Sequence, residues 1–490
     1  WLKLRPSGRS ALPAKPPAPA RAAAPRRAGP ASPRRAELRA AVADTQRASR
    51  GEWTCEMGRR VDSHAGLWVG GPADHALKAP SEKVAARLVR LLHCLSPRIT
   101  DDDSPEVLGI DLNVARPLCA EGVPDEVPAL RAALWKVLLG YLPADIFQWD
   151  AVLASSRKSY VGFVQELLEE LRACGQQCGT RPAPGSSLDA CPDCADGDVG
   201  AKGEEDAPLT AVLDQINKDI FRTRTELDFF AHPVSREAGV ETDGRSVESV
   251  DLFDPRLHYD VLARILLIYA RHNPGVRYVQ GMNELCAPIY YLFAQDPLNH
   301  AEAEADTFFC FGLLMADMRD AFVKTMDDSD NGLIGRVDQF SALLKEKDAE
   351  VWGHLEAIRV SPIFYTVRWL TLMLSQELEM PDVFRVWDAL LSDLAQPLPL
   401  LHYLCVAMVI LIREALLAGD FTDCMRLLQH YPPLPVDELL HSAAKLRAAD
   451  LVPGGFSSQD VADRGRRVGG AAASWFQRLG LQRRQPCPTR

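Results

Sequence analysis

The stretch RYVQGMNELCAPIYYLFA, residues 277–294, reads as a loop running into an apolar helix. Met282, Leu285, Ile289 and the pair Leu292/Phe293 recur at helical spacing and predict a buried stripe. Gln280 and Gly281 fall where loop and helix meet. A bare amide held there, behind Tyr278, either ties a turn together or faces something outside the protein. Gly281 allows another backbone to come close.

Working outward, helical patterns dominate and no period-2 alternation is sustained. VPALRAALWKVLLGYL places Leu130, Leu134 and Leu138 on one face, and DAVLASSRKSYVGFVQELLEELRA is a second amphipathic helix. A Pro/Gly-rich text over about 174–207 interrupts the pattern and reads as a flexible insert. Helical text resumes with LTAVLDQINKDIFRT and PRLHYDVLARILLIYARH, then AEADTFFCFGLLMADMRDAFVK and SPIFYTVRWLTLMLSQEL, each expected as one helix. LHYLCVAMVILIREALL and VDELLHSAAKLRAA complete the run. The fold class is therefore all-α: one large multi-helix domain over 117–450, entered through a helical and looped lead-in at 61–116. Residues 1–60 are Ala/Pro/Arg-rich and read as a disordered basic arm rather than a transit peptide, and 451–490 as a disordered basic tail.

Charge narrows the classes. The first fifty residues carry twelve Lys and Arg against two acids, while the 490-residue chain has a net charge of −11. The body is thus acidic, which argues against nucleic-acid binding. The twelve cysteines stand mostly singly in apolar helices, as at Cys286, Cys310, Cys405 and Cys424. That usage suits a reducing compartment and small buried residues better than a secreted disulfide framework. The longest apolar run, LCVAMVILI before Arg413, falls short of the ~20 residues a membrane span needs.

Two metal-like patterns are weak. Asp327 to Asp338 resembles a calcium loop but ends on Asp where a bidentate Glu is wanted. Cys174, Cys178, Cys191 and Cys194 could close a zinc site, yet their spacing matches no ribbon and the text between them has no evident fold. No metal site is expected.

Three signatures then occur in order. GVPDEVPALRAALWKVLLGYLP carries Arg131 and Trp135 one turn apart. INKDIFRT carries Ile216, Asp219, Arg222 and Thr223. The third is Tyr278-Val279-Gln280-Gly281-Met282-Asn283. RWLTLMLSQE and PDVFRVWD follow. With HNPGVRYVQGMNELCAPIYYLFA, AEADTFFCF and FTDCMRLLQHYP, this set resembles the TBC-domain family of Rab GTPase-activating proteins, and within it the branch called member thirteen. The resemblance covers about two-thirds of the chain, from near Gly122 to about Ala448.

The resemblance implies a GTPase activator that supplies residues in trans to a GTP-bound Rab-family small GTPase, with no substrate turnover of its own. Such a partner already holds GTP and magnesium, so the activator needs no cofactor. A guanidinium is planar, permanently charged and can donate two bonds at once to phosphate oxygens. An amide both donates and accepts, which suits it to holding a water. Carried over, Arg222 is the arginine finger and Gln280 the glutamine finger. Asp219, one helical turn earlier, is placed to aim the guanidinium, while Tyr278 and Gly281 support the loop. Arg131, Trp135, Ile216, Thr223, Met282, Asn283, Trp369 and Trp387 are implied scaffold, as are Arg368, Arg385 and Asp388. Peripheral association with cytosolic faces of endomembranes would come through the partner.

Arg224, two residues on, competes with Arg222 for the exposed role. Two departures stand out. EEDAPLTAVLDQ is shorter than the tryptophan-containing lead into this helix in the family branch. Position 277 is Arg where many members have Gly; tolerance is expected because Gly275 can supply flexibility. The shortened lead keeps a second reading open, a TBC-fold scaffold that binds a Rab without accelerating it. A calcium-responsive adaptor built on 327–338 is a weaker third.

Overall fold

Helices carry nearly all the regular structure in the computed structural model of the chain. It describes residues 82–450 apart from 96–97, 100–106, 126, 178–208, 235–249, 320–321, 323–331 and 394–396. The expected arm, the tail, nearly all of the 174–207 insert, the side chains of its four cysteines and residues 327–331 of the calcium-like loop lie outside the described residues.

The helices are α1 (Glu82–Cys94), α2 (Leu112–Ala120), α3 (Pro128–Leu138), α4 (Trp149–Gln177), α5 (Leu209–Ile220) and α6 (His258–His272). There follow α7 (Met282–Ala294), α8 (Ala303–Met318), α9 (Leu333–Lys347), α10 (Ala349–Ala357) and α11 (Ile363–Thr371). The last are α12 (Met380–Ser392), α13 (Pro397–Leu411), α14 (Arg413–Ala418), α15 (Phe421–Gln429) and α16 (Val436–Asp450). The only described sheet is a two-stranded antiparallel ribbon, β1 (Arg98–Ile99) with β2 (Val107–Leu108). Among the described residues no helix is long and apolar enough to cross a membrane.

The quoted stretch becomes α7. It packs against α5, α6, α8, α3 and α12, so it is buried on every side and not along a single stripe. Asn283 and Glu284 are buried with Met282, Leu285, Ile289 and Phe293. A helix apolar nearly all round belongs at the centre of a bundle. Leu130, Leu134 and Leu138 are buried as their spacing predicts. Two expected helices are shorter. SPIFYTVRWLTLMLSQEL is helical only to Thr371, because Met373 and Leu374 take left-handed φ of 50° and 62°. LHYLCVAMVILIREALL breaks at Ile412 into α13 and α14.

Polar hubs bolt the bundle together. Asp388, fully buried, accepts from Trp135 Nε1 (2.7 Å), Val123 N (2.8 Å) and Arg131 Nε (3.2 Å). Trp135 stacks on Trp387 at 5.7 Å, and Trp387 Nε1 donates to the Met373 carbonyl at 3.1 Å. Asp306 on α8 accepts from Lys136 Nζ (2.6 Å), Tyr141 OH (3.1 Å) and both arms of Arg157 (2.9 and 2.7 Å). Burial pushes the Asp306 pKa up, but Arg157 and Lys136 outweigh it and hold the carboxyl below its usual range.

His258 opens α6, stacked 4.0 Å from Phe229, with Nδ1 2.6 Å from the Tyr290 hydroxyl. Burial, and then nearby His232, lower it to about 4. An imidazole held neutral favours the fold above the unfolded value of 6.5, and this contribution is lost as pH falls towards 4. Asp317 and Asp388, both raised to about 6 chiefly by burial, work in the opposite direction, so a variant is needed to isolate the histidine. Urea titrations at pH 7 and pH 4 should show wild type losing up to roughly 3 kcal/mol more than His258→Gln. Equal losses in the two proteins would remove the assignment.

Candidate functional site

Two short segments meet over α7. The first leaves α5, whose Val212, Leu213, Ile216 and Ile220 are buried against α6 and α7. At its end the chain tightens into turns: Arg222 N donates to Asp219 O (3.1 Å) and Thr223 N to Ile220 O (2.9 Å). Arg222 is left exposed between Phe221, whose ring lies 5.7 Å from Tyr259, and the buried Thr223. Among the described residues none pairs with its guanidinium.

The second segment leaves α6 through Asn273, which caps it by donating Nδ2 to Tyr269 O at 2.8 Å. Arg277 then turns left-handed at φ 58° and donates its N–H to Asn273 O at 2.7 Å. The strained position is therefore Arg277 itself; Gly275, expected to supply the flexibility, takes no positive φ. A glycine suits position 277 because a side chain there carries a steric cost of about 1–2 kcal/mol. Tyr278 is buried, Gln280 exposed, and Gly281 takes φ 100° as the first cap of α7.

Asn283 joins the two segments. Its Nδ2 donates to Thr223 Oγ1 at 2.9 Å, and its Oδ1 accepts from Gly281 N at 3.2 Å. One amide thus grips the residue after Arg222 and the residue after Gln280. Tyr278 adds a second tie, its hydroxyl lying 2.8 Å from Asp219 Oδ2. Burial, then the Asp219 carboxylate, raise this hydroxyl well above its ordinary range, so it stays protonated and donates. Asp219 Oδ2 is engaged by this bond, and no described ion pair joins Asp219 to Arg222, contrary to the aiming role its spacing suggests. Its carboxylate ties the end of α5 to the loop that carries Gln280.

The competition between the two arginines resolves by burial. Arg224 has a side chain 5% exposed, and it lies 3.6 Å from Glu284 and donates to the carbonyls of Leu378 (3.0 Å) and Ser375. Burial raises Glu284, opposed by Arg224. Of the implied scaffold residues, Arg131, Trp135, Ile216, Met282, Trp369 and Trp387 are all buried, Met282 against the loop itself, its Sδ accepting from Val279 N at 3.4 Å. Sequence spacing missed Glu284 and the turn at 372–378, since partners sixty and more residues apart leave no local periodicity.

Gly281 is required twice over. Its φ of 100° strains any L side chain, and an added Cβ would come 2.8 Å from Leu372 Cδ2. Gly281→Ala should therefore cost roughly 1–3 kcal/mol in chemical denaturation. Adding Leu372→Ala removes the clash but not the strain, so it should relieve the G281A defect only in part; a G281A protein as stable as wild type would refute this.

An exposed arginine and an exposed glutamine thus stand on two segments that share one clamp. The sequence profile of the family described as the Rab-GTPase-TBC domain matches residues 240–417. The chain is 35% identical to TBC1 domain family member 13 of Homo sapiens over 400 residues, covering 69% of this chain and 94% of that protein. It is 24% identical to the GTPase-activating protein gyp1 of Schizosaccharomyces pombe, across 66% of this chain and 54% of that protein. Among solved structures, the Ypt/Rab-GAP domain of Gyp1p superposes with a TM-score of 0.55 at 20% identity, covering 75% of this chain and 98% of that one. That likeness concerns the fold.

Proposed function

Because the chain belongs to the Rab-GTPase-TBC domain family, we propose that it accelerates GTP hydrolysis by a GTP-bound Rab-family small GTPase, lending it Arg222 and Gln280 in trans. The observation that carries this reading is the shared clamp: Asn283 holds the neighbours of both exposed groups at 2.9 and 3.2 Å.

The partner supplies GTP, its magnesium and the attacking water. The slow step is the charge that spreads over the phosphate oxygens while the water is poorly held. Arg222 neutralises the first, and preorganised donors aimed at developing charge act without reorganising during the reaction. Gln280 orients the second, taking over from the partner's own glutamine. Asp219 and Tyr278 hold the loop that presents it. Nothing in this scheme requires a cofactor bound to the activator itself. Membrane contact, at cytosolic faces, comes through the lipid-anchored partner.

The test is phosphate release across a panel of GTP-loaded Rab proteins, including one whose switch glutamine is replaced. Acceleration of that variant by wild type, and its loss in Gln280→Ala, is the expected result, because the amide comes from the activator. The shortened text before Leu209 favours one competing reading, binding without acceleration. Tight association with a GTP-loaded Rab and unchanged phosphate release would establish that reading and overturn this one.

A further inference from the structure

We infer that Arg224 is a positioning residue for the reaction proposed above, tying the segment that presents Arg222 to the turn Leu372–Leu378 and to the helix that begins beside Gln280. The inference rests on that reading of Arg222 and Gln280.

Arg224 takes φ 49°, a left-handed conformation that is sterically costly for arginine. Its Nη1 donates to Leu378 O at 3.0 Å and to the exposed Glu226 Oε1 at 3.2 Å, Nη2 donates to Ser375 O, and Nε, which makes no hydrogen bond among the described residues, lies 3.6 Å from Glu284 Oε2. The Arg224 and Glu284 side chains are both only 5% exposed. Glu284 follows Asn283 directly, and Asn283 Nδ2 also lies 3.3 Å from Glu284 Oε1. Gln376, within the same turn, hydrogen-bonds Glu284 as well.

The turn has these carbonyls to offer because it is not helical. α11 stops at Thr371, and Met373 and Leu374 are left-handed. The Met373 carbonyl is anchored by Trp387 Nε1 at 3.1 Å. The same turn presses on the other segment, since Leu372 is the side chain that lies against Gly281. One strained turn therefore touches both arms of the site, through Arg224 on one side and Leu372 on the other. The fork geometry is essential: a guanidinium reaches two carbonyls and a carboxylate at once, and an ammonium does not.

A purely structural ion pair would make a different prediction, because removing both members of a buried pair is often harmless while removing one is not. The experiment uses a Rab GTPase that the wild-type full chain accelerates, comparing Arg222→Ala, Arg224→Met, Arg224→Lys and the double variant R224M/E284M. Phosphate release and thermal melting are recorded for each. Arg224→Met should lower kcat about ten- to a hundredfold with KM for the GTPase little changed, and Arg224→Lys should recover little. R224M/E284M should melt near wild type, having no stranded carboxylate, yet keep the low kcat. Recovery of kcat in step with melting temperature in the double variant, or wild-type kcat in Arg224→Met, would overturn the positioning role alone. Unchanged acceleration by Arg222→Ala would instead overturn the reading beneath it, and this inference with it.

Discussion

Arg222→Ala is expected to lower stimulated GTP hydrolysis by about 10³-fold or more, within the range that arginine fingers contribute. The side chain is exposed and no described residue engages it, so its removal leaves no buried group unpaired and no cavity. The variant should therefore fold and melt like wild type, and its defect should fall on kcat. Arg222→Lys keeps the charge but loses the planar fork, so it should restore less than a tenth of the lost rate. Single-turnover phosphate release with saturating activator checks this directly. An Arg222→Ala protein that still accelerates hydrolysis like wild type would transfer the role to another group or abolish it.

The second large effect is on stability. Asp306→Ala should destabilise the fold by about 3–5 kcal/mol, the cost of leaving buried cations without their counter-charge. Lys136 and Arg157 both end on this carboxylate, with side chains 4% and 12% exposed; Arg157 also lies 4.0 Å from the exposed Glu302, so Lys136 is the cation left most isolated. Asp306→Asn keeps the shape and some of the hydrogen bonds but not the charge, so it should fall between wild type and Asp306→Ala. The contrast is Arg271, which pairs with Glu166 and Glu170 near the surface. Those pairs are screened, and replacing Arg271 should cost no more than about 1 kcal/mol. Guanidinium or urea denaturation of the three variants orders them; an Asp306→Ala protein within 1 kcal/mol of wild type would mean the hub has another counter-ion.

Much of the architecture was legible because helix periodicity is local. The leucines at 130, 134 and 138 name their own face, and the apolar run of α7 marks a helix of the interior, though it is buried all round and not along one stripe. The boundaries that failed are those decided at a distance. RWLTLMLSQE carries good helix formers throughout, but Trp387 draws in the Met373 carbonyl and the chain turns there. Local pattern makes Arg277 a tolerated exchange with flexibility next door; in the structure it carries the left-handed turn itself. Helical spacing alone makes Asp219 a neighbour of Arg222. The helix ends at Ile220, so that spacing no longer applies, and the carboxylate turns to Tyr278.

By itself the sequence determined the helical class, the apolar centre of α7 and the order of the three motifs that mark the family. Short-range spacing encodes these, because side chains one turn apart share a face whatever surrounds them. Only the tertiary structure decided which of two nearby arginines is presented and which is clamped. It also showed that one asparagine holds the surroundings of Arg222 and Gln280. These follow from contacts between segments sixty or more residues apart, where burial and hydrogen-bond geometry, not local pattern, set the outcome.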